Sequence, residues 1–150
     1  MVFNPDVIVT TDYSPATIAL VGEAKGAAAS LEKVELPLKQ YMLRMGCSIG
    51  IIFTPQVLRI YKDRFSGRTQ DSIELVGEFP SDELFNARQP IAGGSDSEVE
   101  SALVDWLDEL ARTGKVAVRD LRLRSAIAEH VLPAISGGRV SRIHPGTPEG

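Results

Sequence analysis

Hydrophobic positions along the chain follow two periods, and the alternation between them sets out the elements. Val7-Ile8-Val9 and Ile18-Ala19-Leu20-Val21 are apolar, mostly β-branched runs of strand length bounded by turn residues, so strands are predicted at Asp6–Thr11 and Thr17–Glu23. The residues between, Asp12–Ala16, are turn formers with Pro15 among them. Leu31, Val34, Leu38, Tyr41, Met42 and Met45 then recur near the helical period. Pro37 falls inside this run and is tolerated only at a helix start, so the main helix is expected at Pro37–Met45, stopped by Gly46, after a looser segment from Leu31. Cys47–Thr54 is almost continuously apolar, as a buried strand reached by a helical crossover is. Val57–Lys62 alternates in the manner of a strand near a sheet edge, and Ile73–Phe79 reads as the last strand.

The second half changes character. Residues 88–97 collect Pro90, Gly93, Gly94, Ser95 and Ser97 and read as a linker. Val99, Ala102, Leu103, Trp106, Leu107 and Leu110 follow as one helical stripe, giving a helix Glu98–Arg112 capped by Ser97 or Asp96 and ended by Gly114. A less regular helical stretch spans Asp120–Ile135, and residues 137–150 lack periodicity and read as a flexible tail. The expected fold class is α/β: a mixed central sheet over residues 1–87 flanked by helices, with a C-terminal helical extension, 98–136, packing on that core.

Composition narrows the function. An apolar fraction of 43% supplies a core for one domain of 150 residues. No run approaches the roughly 18 apolar residues of a membrane span, and no basic-then-apolar leader is present, so no membrane partner is expected. One cysteine, Cys47, cannot close an internal disulfide and suits a cytoplasmic location. The net charge of −4 conceals an asymmetry. Residues 25–68 hold eight basic residues against three acids, whereas 69–114 hold two against eleven. A polyanion would be drawn to the first segment only.

Candidate chemistry lies beside that segment. Asp6 opens the first strand and Glu23-Ala24-Lys25 closes the second. If the strands pair, the two carboxylates meet at one rim, with Lys25 next to them. Paired carboxylates suit a hard divalent cation, and an adjacent ammonium can orient a water. The lone His130, Cys47 and the acidic face of the helix Glu98–Arg112 are read as packing or solvated groups, and no glycine-rich phosphate loop or nucleophile elbow occurs.

Pro5-Asp6, then Glu23-Ala24-Lys25 seventeen positions on, resembles the signature of the PD-(D/E)XK nuclease superfamily, in particular the nuclease domain of type I restriction enzyme motor subunits and related stand-alone restriction-like proteins. The resemblance continues through Tyr41, Gly50-Ile51-Ile52 and Arg59-Ile60-Tyr61. It implies a restriction-endonuclease-like core and Mg²⁺- or Mn²⁺-dependent hydrolysis of DNA. The ion would be held by Asp6, Glu23 and the carbonyl of Ala24, with Lys25 catalytic. A Gln-x-x-x-Tyr element would place its glutamine at Pro37, so Gln40 is the substitute. Lys39 and Arg44 on the same helix are the expected contacts to DNA. The alternative is an inactive module of that fold, binding DNA or protein. The family also has a helix, often bearing a further acid, and a strand ahead of the Pro-Asp strand. Five residues stand there, so a homodimer or a larger restriction or repair assembly is the expected source of those elements.

Overall fold

A computed structural model describes residues 5–11, 17–26, 31–85 and 95–143. The turn expected at 12–16, residues 88–94 of the expected linker and the last seven residues of the expected tail lie outside the described residues. The chain is α/β, as its hydrophobic periods predict. Its elements are β1 (Val7–Thr10), β2 (Ile18–Ala24), α1 (Glu32–Met45), β3 (Ile49–Phe53), β4 (Val57–Asp63), β5 (Ile73–Pro80), α2 (Asp96–Thr113), α3 (Leu121–Ala126), a π-helical turn (Ile127–Val131), α4 (Leu132–Ile135) and β6 (Arg139–Arg142). The strands form one six-stranded mixed sheet in the order β5-β4-β3-β2-β1-β6. Only β2 and β3 run parallel, as the α1 crossover between them requires.

Alternation of side chains sorts each strand between two cores. Val21, Ile52 and Tyr61 face α1 and pack with Val34, Leu38, Tyr41 and Met42. Leu20, Ile51, Phe53, Leu58 and Ile60 face the other way, onto Val99, Leu103, Leu107 and Leu110 of α2 and Leu123, Ile127 and Ile135 beyond it. Gly22 lets α2 approach: a β-carbon there would stand 3.1 Å from the Leu103 side chain.

Three expectations need correction. Helix α1 starts at Glu32 rather than at Pro37, with Pro37 inside it. The carbonyl that loses its donor belongs to Lys33, an exposed residue whose backbone solvent can reach. Segment 98–136 packs on the core as expected, its helices covering Leu20, Ile51 and Phe53 on one face of the sheet. Ser95 caps α2, not Ser97 or Asp96, through a reciprocal capping box with Glu98. The expected tail contains β6, antiparallel to β1 with Val9 opposite Val140. The edge of β1 is thus paired from within the chain.

The expected helix Asp120–Ile135 forms, capped by the Asp120 side chain, but opens into the π turn before Pro133. A proline has no N–H for the carbonyl four residues back and its ring collides with that carbonyl, so a wider turn relieves the clash. No helix among the described residues is long and apolar enough to cross a membrane.

Candidate functional site

The register of the β1–β2 pair assembles the site. Val7 lies opposite Gly22, so Asp6 lies opposite Glu23 as the pair runs on. Both side chains point to the α1 face, because Val7 and Gly22 point to α2. The two residues are cross-linked: the Asp6 N–H donates to Glu23 Oε1 at 3.0 Å, and Asp6 Oδ2 accepts from the Ala24 N–H at 2.8 Å. The backbone of Asp6 is held from both sides as well, its N–H donating to the Gly22 carbonyl and its carbonyl accepting from Ile143, just past β6.

Lys25, two residues on and therefore on the same face, brings its Nζ to 3.5 Å from Glu23 Oε2. The Lys25 N–H donates to the Phe53 carbonyl, which keeps β2 straight to its end. Glu23 is only 4% exposed. Burial, then the charge of Asp6, push its carboxyl up to about 8, and Lys25 offsets this only in part. Desolvation works against the Lys25 ammonium, yet Glu23, Asp6 and Asp96 together outweigh it and raise its pKa.

Asp96 is the residue that sequence reasoning missed. Its Oδ1 accepts from the Gly26 N–H at 2.6 Å, seventy residues away along the chain. Reading Ser97 or Asp96 as the helix cap concealed this. With Ser95 as cap, Asp96 stands in the first turn of α2 and is free to reach the end of β2. Among the described residues, no three acids, histidines or cysteines gather closely enough to hold a metal ion. The candidate centre therefore offers two carboxylates, and an ion would complete its shell from backbone, water or substrate oxygens, as Mg²⁺ commonly does.

The structure pairs the remaining expected residues elsewhere or leaves them exposed. Gln40 is exposed on α1. Lys39 points to Glu35 at 3.9 Å, in a network where Tyr61 donates to Glu35 at 2.6 Å and Arg59 spans Glu35 and Glu78. Arg44 is exposed in the last turn of α1, its guanidinium over the Tyr41 ring. Cys47 is fully buried, its Sγ donating to the Ile49 carbonyl.

The arrangement defines a class: a mixed-sheet α/β protein with a paired carboxylate and a lysine at the end of two neighbouring strands. The chain matches no family model, no curated protein and no solved structure.

Proposed function

We propose that this chain is a metal-dependent phosphodiesterase acting on DNA, with Asp6, Glu23 and the Ala24 carbonyl holding Mg²⁺ or Mn²⁺ and Lys25 serving the reacting phosphate. The carrying observation is the cross-bonded pair Asp6 and Glu23 with the Lys25 ammonium at 3.5 Å. The donor set is all oxygen, which fits a hard cation, and a deeply buried carboxyl facing a second carboxylate gains from a cation that neutralises both. Bound there, such an ion supplies charge neutralisation at the scissile phosphate and a more acidic water.

The chain's own groups do the rest. Asp6 and Glu23 are fixed by their bonds to the opposite backbone, so neither must reorganise during reaction. Lys25 orients the attacking water or answers the charge that develops on the phosphorus oxygens. Water attacks in line, and no covalent enzyme intermediate forms. Two further features support the reading. β6 lies beside β1, and α2 brings Asp96 to the end of β2. A strand and an acid-bearing helix beside the pair are the kinds of element that the resemblance leads one to expect, here coming from the C-terminal half. The free buried thiol fits a reducing cytoplasm.

The test incubates supercoiled and linear DNA with Mg²⁺ or Mn²⁺ beside Asp6→Ala and Lys25→Ala. Cleavage is expected from the wild type and lost in both variants. Cleavage that survives either substitution overturns the assignment. The exposed Gln40 favours the second reading, an inactive module: no cleavage, with DNA affinity the same in all three proteins.

A further inference from the structure

The β4–β5 hairpin presents an exposed aromatic ring on a backbone that resists it. Phe65 is 65% exposed and has φ 55°, a left-handed conformation that residues with a β-carbon avoid. The conformation is imposed by what lies beneath. The buried Asp63 carboxylate accepts from the Phe65 N–H at 2.7 Å and from the Ser72 hydroxyl. The Arg64 N–H donates to the Ser72 carbonyl, and the Ser72 N–H to the Thr69 carbonyl. A fixed base thus holds an apolar ring out with most of its surface in water.

Two guanidinium groups share the tip. Residues 64–70, Arg-Phe-Ser-Gly-Arg-Thr-Gln, are all exposed and carry Arg64 and Arg68, with buried Asp63 on one side and exposed Asp71 on the other. Arg64 donates to the Asp71 carbonyl, which leaves its charge unanswered, and neither Arg64 nor Arg68 has an ion-pair partner among the described residues. Helix α1 packs against the turn Gln70–Ser72 at the base of the hairpin, and its last turn exposes Arg44 and Met45. Arg44 likewise has no acidic partner among the described residues. Among the described residues, Glu35 and Glu78 pair with Arg59, and Glu74 pairs with Lys62.

We propose that this hairpin tip, with the end of α1, is a contact site for single-stranded nucleic acid. Phe65 stacks on an unpaired base, and Arg44 and Arg68 meet flanking phosphates. Guanidinium groups suit phosphate oxygens, and a lone projecting ring reaches a base face only where the bases are not stacked in a duplex. The site is separate from the carboxylate pair. Asp63 bonds to Ser48, ahead of β3, whereas Glu23 lies opposite Ile52 near the far end of that strand. The inference therefore stands apart from the catalytic reading and needs no metal.

The test measures fluorescence anisotropy of a labelled oligo(dT) 20-mer with the full chain in EDTA. Phe65→Trp should bind as well as wild type, and Phe65→Gly should weaken binding roughly five- to hundredfold. Glycine also relieves the left-handed backbone, so Phe65→Gly should raise Tm while it loses affinity, and the opposite signs exclude unfolding. The double variant Arg44→Gln/Arg68→Gln should lower the slope of log K against log salt by about 1.4. A wild type that does not bind, a Phe65→Gly of unchanged affinity, or a loss seen only with a lower Tm would each overturn the proposal. The assay contains no metal ion and reads binding alone, so a failed nuclease assignment leaves this result untouched.

Discussion

Glu23 and Asp6 each bond to the backbone of the other's strand, yet their carboxyls repel one another, and the buried one carries the consequence. In the folded chain Glu23 titrates near 8, against 4.5 for an ordinary glutamate. Between those values the folded protein keeps a proton that the unfolded chain releases. Metal-free stability must therefore fall as pH rises from about 4.5 to about 8, and level off above. Lys25, also raised, titrates above this window. Glu23→Gln cannot ionise and should lack this decline. Urea unfolding at pH 5, 6.5 and 8 checks it: the variant should exceed wild type most at pH 8. Parallel profiles for the two proteins would refute the raised proton affinity.

The same proton should leave when a cation arrives. A carboxylate must be ionised to ligate a metal, so Mn²⁺ binding at pH 7 should expel close to one proton from wild type. Titration calorimetry in buffers of different ionisation enthalpy reads that number directly. Glu23→Gln should lose most of the affinity and release none. Binding of equal strength without proton release would separate the metal site from Glu23.

Much of this centre is legible in the sequence, and the part that is not has a physical cause. Strand pairing follows from local pattern: two apolar runs with a turn between them put Asp6 opposite Glu23, and period two puts Lys25 on the same face. Asp96 could not be found that way, because its bond to Gly26 spans seventy residues and depends on which serine caps α2. Ser95 and Glu98 form the capping box at the spacing such boxes require, so the sequence carries that signal, in competition with Asp96 and Ser97 nearer the apolar stripe. β6 left a fainter trace. Arg-Val-Ser-Arg is short and half exposed, and only the open edge of β1 makes it a strand.

The cap and its neighbour should separate by experiment. Ser95→Ala removes the side-chain acceptor of the Glu98 N–H and should cost about 1 kcal/mol of stability. Asp96→Ala leaves the cap but frees the Gly26 N–H and takes a carboxylate from beside Lys25. Its expected signature is a lowered Lys25 pKa, followed through the ¹⁵Nζ resonance of labelled protein, with a smaller change in Tm than Ser95→Ala produces. An unmoved Lys25 resonance would deny Asp96 any part in the site.

Cys47 should be inert in the native state. Burial pushes its thiol up to about 12, and its side chain is fully enclosed. Only the thiolate reacts quickly, so iodoacetamide at pH 8.5 should leave the folded protein unmodified for hours and label it promptly in urea. Rapid labelling without denaturant would mean that the end of α1 opens readily.

The last prediction concerns β6, which stands at the boundary between fold and site. It gives β1 its second antiparallel partner, and just beyond it the Ile143 N–H holds the Asp6 carbonyl at 2.8 Å. Truncation after Ser136 removes both. The freed edge of β1 then offers unpaired backbone groups between the buried side chains of Val7 and Val9, an arrangement that favours pairing with another chain. The expected results are lower stability in urea, a concentration-dependent shift to larger species on gel filtration, and weaker Mn²⁺ binding, because Asp6 has lost one of its backbone anchors. Truncation after Ile143 keeps β6 and the Asp6 contact, and should match the full chain in all three measurements. If both truncated proteins behave alike, β6 contributes nothing to holding Asp6, and the carboxylate pair must be positioned by the β1–β2 register alone.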